Sequence, residues 1–270
     1  MAQKSSRSAL NVTAVRSHLT WLGVIDDPYA WRMLPRDRKR LAATWRYPGV
    51  RQLAARDRSF PGLAARTLFF DTFVRDALDD GLRQVVILAA GYDSRAWRLA
   101  RPGVTFFEVD QPATQEDKRA RAPGGGPVYV SADVTHPGLG DELIAAGYRT
   151  QEPTAFIAEG LVIYLTEEDV VALLTRLADL SATGSRLAVS FETGFSDRPI
   201  ARRLANAYYR RSGELWRFRL HPEEAPSFLS DTGWAFDDVL TASELESDHL
   251  SKTSMAGTLR TSGFMVTTRH

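Results

Sequence analysis

The chain has 270 residues, of which 44% are hydrophobic and 25% charged, a composition typical of a globular protein with a sizeable core. Its formal net charge of +1, from 34 lysines and arginines against 33 aspartates and glutamates, argues against general attraction to nucleic acid or anionic membranes. The absence of cysteine excludes disulfides, thiolate zinc sites, iron–sulfur clusters and a cysteine nucleophile.

The N-terminal region has no apolar run of signal-peptide length, and the longest apolar stretch, residues 85–91, is too short to cross a bilayer. We therefore expect a cytoplasmic protein with no membrane partner.

Residues 1–81 have helical periodicity, and prolines divide their first part into two short helix-and-loop pieces. Residues 63–78 then predict an amphipathic helix that ends at Gly81. We expect residues 1–81 to form an N-terminal helical extension packed on the rest.

The pattern changes at residue 84. Residues 84–89 form a continuous apolar run followed by Gly91, which is typical of a strand buried on both faces. Further strands are predicted at residues 104–109, 128–130, 154–158, 186–191, 234–239 and 261–267. A helix is predicted at residues 166–180, where Thr166 begins a capping-box pattern. The alternation predicts an α/β fold over residues 82–270, with a doubly wound, Rossmann-like, seven-stranded sheet.

The ends of the first two strands carry the residues that suggest a ligand. A dinucleotide-binding loop needs several glycines around the pyrophosphate, and this loop offers Gly91. Glu108 and Asp110 end the second strand, where a carboxylate accepts hydrogen bonds from ribose hydroxyls, and Asp110 is favoured because it is nearer the crevice. The combination favours a nucleoside cofactor without phosphates, such as S-adenosylmethionine. The alternative is a simple turn glycine beside two solvated acids.

Longer segments carry a resemblance to a known family. They are, in chain order, residues 65–71, 84–99, 107–112, 132–134 and 157–166. This series resembles the leucine carboxyl methyltransferase family, in particular its bacterial branch associated with polyketide O-methylation. The resemblance extends from about residue 27 to residue 180 and implies a methyltransferase sheet with S-adenosylmethionine as cofactor. It also implies a helical cap insertion at about residues 195–230.

The resemblance implies roles for individual residues at the methionine end of the cofactor. Arg66 matches the arginine that holds the methionine carboxylate, and Glu159 matches the glutamate beside the methionine amino group. Arg16 is a looser match to a basic residue upstream of the Asp27-Pro28-Tyr29 element.

At the nucleoside end, the resemblance places Gly91 in the glycine loop and Asp110 at the ribose. Asp133 and Val134 match the pair that borders the adenine. Asp133 has the alternative of starting a turn with Pro137. The sequence departs from the family at two small residues, Ala89 in place of the first loop glycine and Ser94 in place of a threonine.

Candidates for the acceptor side are weaker. Tyr164 has two alternatives: it faces the cofactor or the acceptor, or it packs in the core. The arginine-rich stretch 197–220 includes Arg202 and Arg203, which either hold a carboxylate of the acceptor or line the solvent-exposed face of a helix.

We therefore predict an S-adenosylmethionine-dependent O-methyltransferase that acts on a carboxylate or hydroxyl of a small molecule in natural-product biosynthesis. The alternative is a carboxyl methyltransferase that acts on a protein or peptide C-terminus. No histidine-rich metal-ligand spacing is visible, so no metal is expected. A nucleic-acid-binding module, suggested by the basic and aromatic residues 31–58, conflicts with the balanced net charge.

Overall fold

The computed structural model describes residues 6–45, 47, 59–193, 215–259 and 263–270. Its N-terminal part is helical, as predicted. The helices are α1 (Arg7–Trp21), α2 (Ala30–Met33), α3 (Arg36–Thr44) and α4 (Ser59–Asp79). Helix α4 contains the predicted helix 63–78, and Gly81 follows it with a φ of +98°, a backbone conformation that favours glycine at a helix end.

The predicted seven strands are confirmed. They are β1 (Gln84–Leu88), β2 (Thr105–Asp110), β3 (Val128–Ser131), β4 (Thr154–Ala158), β5 (Arg186–Glu192), β6 (Ala235–Leu240) and β7 (Gly263–Arg269). They form one sheet in the order β3-β2-β1-β4-β5-β7-β6. Strands β1 to β5 pair in parallel, and β7 is antiparallel to both β5 and β6. Residues 261 and 262, which the sequence placed in the last strand, lie outside the described residues.

Helices connect the strands and cover both faces of the sheet. They are α5 (Arg95–Arg98), α6 (Pro112–Arg119), α7 (Leu139–Ala145), α8 (Glu167–Asp179), α9 (Ala225–Ser230) and α10 (Ala242–Leu245). Helix α8 confirms the prediction for residues 166–180, because the Thr166 hydroxyl accepts a hydrogen bond from the Asp169 backbone N–H at 3.2 Å. Within the described ranges, no helix has the length and apolar character needed to traverse a bilayer.

Strand β1 is buried on both faces because its side chains alternate between two hydrophobic cores. Val86 and Leu88 belong to one core, with Trp234. Val85 and Ile87 belong to the other, which also contains residues of α1 and α4. This arrangement explains why the strand reads as a continuous apolar run rather than an alternating one.

The boundary expected near residue 81 falls in the turn between α4 and β1, and the division into an extension and a core stays a prediction. Most of the expected cap insertion, residues 194–214, lies outside the described residues. Its described remainder runs from Leu215 into α9, where Ala225 and Leu229 are buried in the core beside the sheet.

Candidate active site

A cavity of about 700 Å³ opens at the carboxyl ends of β1, β2 and β4. The strand order reverses at this point, because β2 and β3 lie on one side of β1 and β4 and β5 on the other. Doubly wound sheets bind ligands at such a switch point, and the volume suits a small molecule. Helix α1 adds a further wall through Ser8, Ala9, Val12 and Thr13.

The residues predicted to bind the cofactor all line this cavity, and so does Tyr164. They are Arg16, Arg66, Gly91, Asp110, Asp133, Val134 and Glu159. Arg202 and Arg203 lie outside the described residues. The fold therefore brings together side chains from α1, α4 and the ends of three strands, while the role of each stays a prediction.

The loop after β1 has two residues with positive φ. Ala89, at the family's first glycine position, has a φ of +48°, and Gly91 has a φ of +52°. A Cβ at Gly91 would come within 3.0 Å of the Ala9 Cβ on α1. Gly91 is therefore needed for the backbone conformation and for the close approach of α1.

Ala89→Gly is expected to raise the free energy of unfolding by about 0.5–1 kcal/mol, because an alanine held at positive φ is strained and glycine is not. The measurement is chemical denaturation of both proteins. Ala90→Gly is the control, since Ala90 has no positive φ and its change to glycine is expected to destabilise. Equal destabilisation by the two substitutions would contradict the strain at Ala89.

Asp110 and Glu108, the two candidates for the ribose, occupy different environments. The Asp110 carboxylate accepts hydrogen bonds from the backbone N–H groups of Gly91, at 2.6 Å, and Gln111, at 2.7 Å. A carboxylate has about four acceptor positions, so two remain for hydroxyls. Glu108 is buried away from the cavity and pairs with Lys118 at 2.5 Å. This geometry favours Asp110, as the sequence did.

Asp133 and Val134 border the cavity beyond the end of β3. The Asp133 Oδ1 accepts hydrogen bonds from the backbone N–H and the hydroxyl of Thr135, at 2.9 and 2.8 Å. The turn that sequence analysis gave as the alternative therefore exists, and it fixes this carboxylate at the cavity wall. Val134 is buried beside it and offers an apolar surface on which a flat base can pack.

Arg66 and Glu159 meet at the end of β4. The Arg66 Nε donates to the Glu159 Oε1 at 3.1 Å, and both side chains are partly exposed to the cavity. Burial opposes the charge of Glu159, but Arg95 and Arg66 together hold the pKa of this carboxyl below its ordinary value. The site thus places a cation and an anion side by side, which is complementary to the carboxylate and ammonium of an amino acid.

Arg95 is the main residue that sequence analysis missed. Its side chain is 1% exposed and donates to Asp71 at 2.8 Å, to Glu159 at 2.8 Å and to Asp93 at 2.5 Å. Arg98 makes a bidentate contact with Asp71. Arg95 therefore holds the loop after β1, helix α4 and the end of β4 in one ion-pair network. The signal in the sequence was three charged residues, Asp93, Arg95 and Arg98, in the segment that follows a buried strand.

Arg16 forms an ion pair and a hydrogen bond with other residues of the chain. Its guanidinium pairs with Asp27 at 2.5 Å and donates to the Ser94 hydroxyl at 2.9 Å, and its side chain is 6% exposed. Ser94 also donates to Asp27 at 2.7 Å. Arg16 thus connects α1 to the loop after β1 through these contacts, and it also lines the cavity.

Tyr164 lies at the other end of the cavity, in a 3-10 turn over Val162–Tyr164. Its hydroxyl is 3.5 Å from the Ser8 hydroxyl on α1. Ile163, Leu165 and Trp216 are neighbouring parts of the wall. These aromatic and aliphatic side chains make this part of the wall suitable for an acceptor.

The described lining contains no histidine, lysine or cysteine, and the described residues hold no group of three acidic or histidine side chains suited to a metal ion. The polar groups of the described lining are arginines, carboxylates, hydroxyls of serine, threonine and tyrosine, Gln111, Trp216 and the backbone.

The sequence model of the leucine carboxyl methyltransferase family matches residues 9–178, which is more than half of the chain. A relative from Parafrankia is 39% identical over 205 residues, 72% of this chain and 66% of that protein, so the chain spans about two thirds of its length. A relative from Mycobacterium strain KMS is 40% identical, over 70% of this chain and 67% of its own. Both carry the provisional name of an S-adenosyl-L-methionine-dependent methyltransferase.

Among solved structures, a DUF574 family protein from Streptomyces avermitilis aligns with a TM-score of 0.64 at 18% identity, over 98% of this chain and 97% of its own. This likeness establishes the fold over nearly the whole chain. The family match begins earlier than the resemblance seen in the sequence and includes most of α1. The chain belongs to the leucine carboxyl methyltransferase family.

Proposed function

We propose that this chain transfers the methyl group of S-adenosylmethionine to an oxygen atom of a small molecule of natural-product type, rather than to nucleic acid or a membrane component. The observation that carries the proposal is the composition of one cavity. It combines the Arg66–Glu159 pair with Asp110 at neighbouring strand ends. These groups are complementary to the amino acid and the ribose of that cofactor.

The residues present fit the cofactor. Glu159 would accept from the methionine ammonium, because each of its oxygens has one arginine donor and retains acceptor capacity. Arg66 would hold the carboxylate, since the structure gives its two terminal nitrogens no hydrogen bond to a described residue. Asp110 would take the ribose, and Asp133 with Val134 would border the adenine.

When bound, the cofactor supplies a methyl group: an acceptor oxygen forms the new O–C bond, and the C–S bond breaks with its electron pair going to sulfur. A carboxylate acceptor is already anionic at neutral pH and needs only to be positioned. A hydroxyl acceptor must also lose its proton, and the described lining contains no histidine or lysine to take it. Within the described lining, the acceptor oxygen is therefore a carboxylate, or a phenolic hydroxyl acidic enough to release its proton to water.

Binding of S-adenosylhomocysteine, measured by titration calorimetry, tests the cofactor assignment. The unmodified protein is expected to bind it, and absence of binding in folded protein would overturn the proposal. Incubation of host-cell extract with methyl-labelled cofactor tests the acceptor class. Label in the solvent extract supports a small molecule, whereas label in precipitated protein supports the alternative of a protein C-terminus.

Asp110→Ala is expected to weaken binding of S-adenosylhomocysteine by about 1.5–3 kcal/mol, the range for a hydrogen bond to a charged group. Asp141→Ala is the control, because Asp141 is an exposed acid on α7 that does not line the cavity. Glu108→Ala is less suitable, since it leaves Lys118 buried without its carboxylate. Equal affinity of the two aspartate variants would remove Asp110 from the ribose site.

A further inference from the structure

The acceptor end of the cavity is closed by the segment 215–220, which follows the undescribed residues. The Arg217 backbone N–H donates to the Ile163 carbonyl at 2.7 Å, and the Leu220 N–H donates to the Glu192 carbonyl at 3.3 Å. Phe218 and Leu220 are buried in the core. The segment is therefore fixed against the 3-10 turn and the end of β5, and its alternate residues point outward.

Two residues of this segment, the half-buried Trp216 and the exposed Arg217, line the cavity together with Tyr164. Arg217 is exposed, so its guanidinium is accessible to a ligand. Arg219 is also exposed but does not line the cavity. Tyr164 and Trp216 contribute aromatic rings to the wall near Arg217, which suits a flat ring in the acceptor.

Charge distinguishes Arg217 from the other arginines that line the cavity. Arg16 is paired with Asp27, and Arg66 contacts Glu159 and is assigned above to the methionine carboxylate of the cofactor. Within the described ranges, the structure gives the Arg217 guanidinium no carboxylate partner. The remaining charged lining is acidic and includes Asp110, Asp133, Asp169 and Glu192. An anion that enters this cavity is repelled along most of the wall and attracted at Arg217.

Resting on the function proposed above, we propose that Arg217 binds a carboxylate of the acceptor that is separate from the oxygen to be methylated. The acceptor is then an aromatic acid, with its ring against Tyr164 and Trp216 and its carboxylate on the Arg217 guanidinium. In a hydroxy acid, the hydroxyl oxygen forms the new O–C bond, the C–S bond breaks toward sulfur, and the hydroxyl proton leaves to water.

The probes are hydroxybenzoate, hydroxycinnamate and hydroxynaphthoate, each with its neutral carboxamide. Calorimetry measures their binding to protein saturated with S-adenosylhomocysteine, so the readout does not depend on turnover. At least one acid is expected to bind about 10- to 100-fold more tightly than its amide, the range for a charge-assisted contact. Equal binding of all acids and amides overturns the proposal.

Arg217→Gln is expected to remove the preference for the acid, and Arg217→Glu is expected to reverse it, so that the neutral carboxamide binds more tightly than the acid. Arg219→Gln is the matched control on the same segment and is expected to keep the preference. A preference that survives Arg217→Gln overturns the proposal. Binding of S-adenosylhomocysteine is measured first on each variant. If the unmodified protein does not bind S-adenosylhomocysteine, the proposed function is contradicted. If it binds S-adenosylhomocysteine but shows no preference for the acids, only the role of Arg217 is contradicted.

Discussion

Arg95→Met is expected to lower the free energy of unfolding by about 3–5 kcal/mol, the range for breaking a buried ion pair on one side. Arg95 is fully buried and contacts Asp71, Asp93 and Glu159. Without it, Asp71 retains Arg98 and Glu159 retains Arg66, but Asp93 loses the guanidinium contact that it makes among the described residues. The loss of this partner is the main reason for the large effect, because a buried charge without a partner is costly.

The control is Arg101→Met, which breaks an ion pair of similar distance in a different environment. Arg101 contacts Asp79 at 2.6 Å, with 37% and 64% of the two side chains exposed. An exposed pair contributes about 0–1 kcal/mol. Chemical denaturation of both variants measures the difference. Similar losses in the two would show that the Arg95 network is not the stabilising element that its burial indicates.

Arg95→Lys separates charge from geometry. Lysine supplies one cationic nitrogen, whereas the planar guanidinium contacts three carboxylates at once. We expect intermediate stability. We also expect weaker binding of S-adenosylhomocysteine, because Glu159 is then held from one side by Arg66 alone. Recovery of stability without recovery of binding would separate the folding role of Arg95 from its positioning of Glu159.

The sheet could be predicted because its signals are local. Burial on both faces produces the apolar run at β1, and Gly81 and Thr166 mark helix ends through their own backbone and side chain. The position of the cavity followed from topology, since parallel strands bring their carboxyl ends to one edge. Asp110 and Glu159 could therefore be placed near one another from the sequence alone.

The contacts within the site could not be predicted, because each depends on side chains distant in sequence. Arg95 meets Asp71 on α4 and Glu159 after β4, and no spacing rule connects these positions. Arg16 was expected to contact the cofactor, and its ion pair with Asp27 depends on how α1 packs. The positive φ of Ala89 is equally invisible in a sequence of small residues.

Glu108 provides a prediction for the pH dependence of stability. Burial raises the pKa of this carboxyl from 4.5 to about 7, although Lys118 beside it acts in the opposite direction, and Asp93 and Asp110 add to the increase. The geometry agrees, because the Glu108 Oε1 is buried without a hydrogen-bond partner among the described residues. An ionised oxygen in that position is costlier than a neutral one.

The sign follows from the two pKa values. The unfolded chain ionises Glu108 near pH 4.5, whereas the folded protein keeps the proton up to about pH 7. The stabilisation is complete below pH 4.5 and is lost as the pH rises through 7. Glu108→Gln has no such proton, so the stability of the unmodified protein relative to this variant is expected to fall by about 3 kcal/mol between pH 4.5 and 7.5. Denaturation at both pH values measures this change, and a constant or rising difference would show that the ion pair with Lys118 keeps Glu108 charged.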